Sequence, residues 1–206
     1  MKKLMLLAAL ALALPVGAFA GSQIDFQNSG GTLAGNSSGL TLTGSTLTSV
    51  NGLNGGGLIT GNLGTVSLTT GGLISGALNG KNAPIGGFIP PSVFNGGSLT
   101  ITGNGSNGLN GVLFSGTFSG NVLWQLSTNP KNGTHTYTLT GSLVSANGSY
   151  GTTTQLTFNT GKGYFNGSVN LSSGDTNVVV PEPGTLSLLG TGLVGLAGVI
   201  RKKLKS

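Results

Sequence analysis

The chain has 206 residues, of which only 6% are charged while glycine alone supplies 40. That composition argues against a disordered chain, which is charge-rich and poor in Leu, Val, Ile and Phe, and it is unlike a cytosolic enzyme. The absence of cysteine removes disulfides, thiolate catalysis and cysteine metal sites together. The formal charge of +6 and pI near 9.9 suggest a polyanionic partner until the charges are located. Lys2 and Lys3 sit at one end and Arg201, Lys202, Lys203 and Lys205 at the other, whereas between residues 21 and 183 Lys81, Lys131 and Lys162 balance Asp25, Asp175 and Glu182. The middle is formally neutral, so no nucleic acid partner is expected.

The first element is a secretory signal over 1–20. Lys2-Lys3 precedes an apolar run from Leu4 to Leu14, followed by Pro15, Gly17 and the small-residue triplet Ala18-Phe19-Ala20, which places cleavage after Ala20. The run is too short for an anchor: eleven helical residues cover about 16 Å of a roughly 30 Å hydrocarbon core.

Residues 21–177 read as one β domain of ordinary size. Short alternating apolar runs divided by Gly and Asn predict strands at 24–26, 40–43, 66–68, 99–102, 112–118, 122–126, 137–143, 155–158 and 165–171. Val122, Trp124 and Leu126 share one face, which assigns Trp124 to the core. The Asn-Gly dipeptide recurs throughout, including Asn51, Asn104, Asn132 and Asn147, and it favours the positive φ angles of tight hairpin turns. Pro90-Pro91 marks a longer connection. The echo Leu40-Thr-Leu-Thr-Gly, Leu99-Thr-Ile-Thr-Gly and Tyr137-Thr-Leu-Thr-Gly recurs at unequal spacings of 59 and 38, so it reads as strand-then-turn grammar and not as a solenoid period. The expected fold is all-β, an antiparallel sandwich or jelly roll.

The last element, 178–206, begins Val178-Val179-Val180-Pro181-Glu182-Pro183-Gly184, continues uncharged from Thr185 to Ile200 and ends in the basic stub Arg201, Lys202, Lys203 and Lys205. Pro181 and Pro183 fix φ and extend their neighbours, giving a stiff segment that a protease cleft can grip. Sixteen helical residues give about 24 Å, enough for a temporary span, and the stub marks the cytoplasmic side. This order resembles the PEP-CTERM sorting domain. The resemblance implies an exosortase-type processing enzyme acting at Val180, Pro181, Glu182 and Pro183, a transmembrane helix over the apolar run, and a precursor anchored in the inner membrane before transfer to the surface.

Catalytic chemistry is sparse. His135 is the only histidine, and with Asp25 and Asp175 it could form a Ser-His-Asp triad, but no Gly-x-Ser-x-Gly elbow accompanies it; a turn or strand-edge histidine is the simpler reading. Zinc lacks ligands, and a carboxylate pair would have to be drawn from opposite ends of the domain. No enzyme activity, metal or cofactor is expected. Thr41 and Thr43, Thr100 and Thr102, and Thr136, Thr138 and Thr140 alternate, so their hydroxyls should ladder on exposed faces. The resulting expectation is an exported structural or adhesive surface protein of an exopolysaccharide matrix or biofilm, with the export machinery, the sorting enzyme and polysaccharide as partners. The alternative is a carbohydrate- or ice-binding module using the threonine ladders.

Overall fold

The computed structural model describes residues 22–79, 92–145 and 152–180. The signal segment with Ala18 and Ala20, the connection containing Pro90-Pro91, the Asn147-Gly148 turn and everything from Pro181 onward lie outside the described residues. So do the two helices expected to flank the domain, and among the described residues no helix is long and apolar enough to cross a membrane.

Alternation of apolar and hydroxyl side chains drives the chain into twelve strand segments of one sheet. These are β1 (Ser22–Ser29), β2 (Thr32–Asn36), β3 (Gly39–Asn51), β4 (Ile59–Thr70), β5 (Leu73–Ser75), β6 (Ser92–Phe94), β7 (Gly97–Asn104), β8 (Asn110–Phe118), β9 (Val122–Thr128), β10 (His135–Ser145), β11 (Thr152–Gly161) and β12 (Ser168–Val180). Residues 178–180, grouped above with the tail, are thus the end of β12. Each predicted strand overlaps an observed one, although Phe165 precedes β12 and β2, β5 and β6 have no counterpart in the prediction.

Several segments are halves of one interrupted run. Both β1 and β2 pair antiparallel with β3, β8 and β9 both pair with β10, β6 and β7 follow β9 and β8, and β5 and β4 follow β6 and β7. The twelve segments therefore make eight runs, each beside its neighbour in sequence. The last, β12, pairs with β11 on one side and β2 on the other, closing an eight-stranded up-and-down antiparallel barrel.

This corrects the expected sandwich or jelly roll. A strand with one buried face alternates identically in both architectures, and the choice is made by whether the first and last runs pair. Here the wall can bend far enough because glycine-rich interruptions align across neighbouring runs. Gly71-Gly72, Asn95-Gly96 and Ser119-Gly120-Asn121 lie side by side, with Gly71 N–H donating to Asn95 O at 2.6 Å, Asn95 N–H to Gly72 O at 2.8 Å and Ser119 N–H to Ser142 O at 2.9 Å. Such kinks concentrate curvature in a crease where a flat sheet would not close.

Side chains fill the interior, as expected for a barrel of eight strands. Leu33, Leu40, Leu42, Leu99, Ile101 and Leu139 are fully buried. Trp124 stacks on Tyr137 with centroids 4.9 Å apart and meets Phe158 and Phe165 at 5.6 and 5.4 Å. The polar ends of these rings are satisfied: Trp124 Nε1 donates to Leu78 O at 2.9 Å, and the Tyr137 hydroxyl donates to Asn79 O at 2.6 Å while accepting from Phe165 N–H at 3.0 Å. The glycine gaps are filled by aromatics, with Phe118 lying where a side chain of Gly141 would project.

Because neighbouring runs are antiparallel, their connections alternate between two ends of the barrel. One end holds connections 52–58 and 105–109 with the start of β1 and the finish of β12; the other holds 37–38, 129–134 and 162–167. Connections 52–58 and 105–109 share a backbone, with Asn54 at φ 53° and Asn107 at φ 54° in the left-handed region that asparagine tolerates.

Candidate functional site

The outer wall is polar, and its side chains form rows across the strands. Thr41, Thr69, Ser98 and Thr117 are successive register partners, as are Thr46, Thr65 and Thr102, and as are Ser67, Thr100 and Ser115. The threonine ladders expected from sequence therefore exist, but four of eight barrel strands carry them and wrap about half the circumference. A membrane barrel needs an outward apolar band where this wall presents hydroxyls and amides.

On the opposite half, a second row runs Leu123, Thr140, Gln155 and Asp175 across β9, β10, β11 and β12. It forms the floor of a groove of about 330 Å³, with Asn121 and Asn177 also lining it. A second groove of about 320 Å³ adjoins it beyond Asp175, toward Gln27 and Thr48.

Between the grooves sit both described carboxylates. Barrel closure places β1 beside β12 and so joins Asp25 to Asp175, two residues that the sequence puts at opposite ends of the domain. A chain of side-chain contacts holds them. Gln23 Nε2 donates to Asn177 Oδ1 at 2.6 Å, Asn177 Nδ2 to Asp175 Oδ1 at 3.1 Å, and Gln27 Nε2 to Asp25 Oδ2 at 3.3 Å. Burial pushes the Asp175 carboxyl up to about 6, reinforced by its hydrogen bond to Asp25 and that neighbour's charge and opposed by the Asn177 amide.

The raised Asp175 carboxyl gives the barrel a pH signature. Because Asp175 binds its proton more tightly folded than unfolded, its contribution to stability is complete below about pH 4, declines as pH rises and is gone above about pH 6. Asp175 is exposed, and solvent screening reduces the effect to about 1 kcal/mol. Thermal melts followed by circular dichroism should therefore show a midpoint a few degrees higher at about pH 4.5 than at about pH 7.5. Asp175→Asn, whose amide donates to Asp25 at either pH, should flatten that difference. Equal pH dependence in the two proteins would refute the assignment to Asp175.

His135 stands elsewhere. It is the first residue of β10, buried at 6% exposure, with Nδ1 in a 2.9 Å hydrogen bond with Thr128 Oγ1 and its ring stacked on Tyr164 at 4.3 Å. Thr140, in the row with Asp175, lies five residues along β10 from His135, or about 17 Å of strand. The triad considered from sequence is not assembled: neither aspartate reaches the imidazole. Among the described residues no group of three or more His, Cys, Asp or Glu side chains converges on a metal position.

Of the sorting residues, Val180 closes β12, while Pro181, Glu182 and Pro183 and the basic residues Arg201, Lys202, Lys203 and Lys205 lie outside the described residues. Residues 179–202 match the PEP-CTERM protein-sorting motif, which supports export and sorting by an exosortase. No curated protein and no solved structure matches it.

Proposed function

We propose that the protein is a non-catalytic structural or adhesive component of the cell surface or exopolysaccharide matrix, released from an inner-membrane precursor by cleavage at the Pro-Glu-Pro motif. The observation that carries this reading is the adjacency of the closing strand and the signal: β12 ends at Val180 and the matched motif spans 179–202. The barrel is thus the delivered cargo. The non-catalytic part is supported by the sparse chemistry. The hydroxyl–imidazole contact of Thr128 and His135 is partly buried and, among the described residues, has no orienting carboxylate, and the two aspartates are neighbours on an open wall.

Sorting is testable in a host that carries an exosortase. Intact-mass measurement should find the mature chain ending near Pro183 in the surface or medium fraction. Replacing both Pro181 and Glu182 with alanine should leave the full-length precursor in the membrane fraction. Equal release of that variant would overturn the reading.

A second reading, binding of polysaccharide along the wall, is favoured over binding of ice by the curvature of the hydroxyl rows. A planar lattice can touch only one or two strands of a wall that turns about 45° per strand in an eight-stranded barrel, whereas a flexible glycan can follow it.

A further inference from the structure

Net neutrality conceals a segregation of charge. The two described lysines, Lys131 and Lys162, occupy the 129–134 and 162–167 connections, which lie at the same end of the barrel, and both are exposed. Asp175 lies in the row through Thr140, about 17 Å of strand away, with Asp25, the other described carboxylate, beside it. Between the lysines stands the stack of His135 and Tyr164. His135 pairs with Gly161, the residue before Lys162, and follows Lys131 by four positions, so both lysines sit on connections that adjoin the rings.

The rings and the loops are held in place. Phe165, buried in the core, is tied by its N–H to the Tyr137 hydroxyl at 3.0 Å. On the other side of Tyr164 the turn is closed by Thr160 Oγ1 donating to Gly163 O at 2.6 Å. Tyr164 is thereby turned outward, with one face on His135 and 37% of the residue exposed. The Lys131 loop is equally fixed: Asn129 N–H donates to Thr134 O at 2.9 Å, Gly133 N–H to Asn129 O at 2.8 Å, and Lys131 N–H to Asn129 Oδ1 at 2.9 Å.

We propose that this end of the barrel, built from Lys131, His135, Lys162 and Tyr164, binds an acidic polysaccharide. The open face of Tyr164 receives the C–H face of a sugar ring, and the lysines meet carboxylate or sulfate groups of the same and adjoining sugars. An aromatic platform fixed before binding loses little side-chain entropy when it is occupied. The assignment rests on the surface-protein reading and specifies its polysaccharide partner as anionic.

The test uses the full-length chain in nonionic detergent and measures binding to immobilised polygalacturonate, a uronate polymer, beside uncharged dextran and a single-stranded thymidine oligonucleotide. Polygalacturonate should be bound and dextran not, with affinity falling between about 50 and 200 mM salt at a slope corresponding to about two ion contacts. The Lys131→Ala/Lys162→Ala double variant should lose at least about tenfold in affinity and most of the salt dependence, while the double arginine variant retains binding. Tyr164→Ala should lose about three- to tenfold with the salt slope unchanged. Equal binding of dextran, tighter binding of the oligonucleotide, or an unaltered affinity in the double alanine variant would each overturn the site. Because sorting is read by the mass of the mature C-terminus, failure here and failure of the surface-protein reading are separate results.

Discussion

Trp124→Ala is expected to lower barrel stability by about 4 kcal/mol, within the range for removing a buried large aromatic. The indole is 2% exposed and joins four runs: it sits on β9, stacks on Tyr137 of β10, packs against Phe158 of β11 and meets Phe165 ahead of β12 edge-on. Its loss leaves a cavity that those rings cannot fill, because Tyr137 is held by hydrogen bonds at both Asn79 O and Phe165 N–H. It also orphans the carbonyl of Leu78, which accepts from Nε1. For a domain of this size about 4 kcal/mol corresponds to a fall of about 8–16 °C in the melting midpoint, measurable by near-ultraviolet circular dichroism or calorimetry. Leu123→Ala, on the same strand but with the side chain on the outer wall, should move the midpoint by no more than about 2 °C. Similar shifts for the two variants would show that the aromatic cluster does not hold the barrel.

The contrast between those two positions also shows what was legible in the sequence. Val122, Trp124 and Leu126 alternate with Leu123 and Gln125, so the buried face of β9 can be read directly, and the same holds for Tyr137, Leu139 and Leu143 on β10. Asn51, Asn104 and Asn132 mark ends of runs because the Asn-Gly pair readily enters positive φ. Closure was not legible. Whether β1 and β2 pair with β12 depends on twist accumulated over the whole sheet, and no local residue encodes it. For the same reason Asp25 and Asp175 read as distant acids and turn out to be neighbours. The short β5 and β6 were missed because three residues carry no period, and β2 because Gly30-Gly31 and Gly35 interrupt it.

The charge balance misled in a related way. A neutral sum over residues 21–183 gives no sign of a basic patch, yet the sum contains no positions. Antiparallel alternation sends the 129–134 and 162–167 connections to one end, and with them Lys131, Lys162 and Tyr164. His135, read as a turn or strand-edge histidine, opens β10, and its ring stacks on Tyr164, 29 residues away in sequence.

Gly97→Ala is the second substitution expected to be severe, at about 3–5 kcal/mol, because two effects coincide. The residue opens β7 just after the Asn95-Gly96 interruption and has φ 120°, a conformation that costs an L-residue about 1–3 kcal/mol. A Cβ there would also overlap the carbonyl oxygen of Thr69 and press on Thr70 Cα at 2.7 Å. Both are backbone atoms of β4, whose Thr69 and Thr70 are register partners of Ser98 and Gly97, so relief requires breaking the β4–β7 ladder at the crease where the wall bends. Gly55→Ala separates the two effects. Gly55 also has positive φ, at 73°, but nothing lies within 4 Å of a Cβ built on it, and its alanine variant should cost only about 1–2 kcal/mol. Urea unfolding of the three proteins should give midpoints in the order wild type, Gly55→Ala, Gly97→Ala, with the larger gap at Gly97. If Gly97→Ala is no less stable than Gly55→Ala, the crease tolerates separation of β4 from β7, and the close approach of those strands is not what lets the wall close.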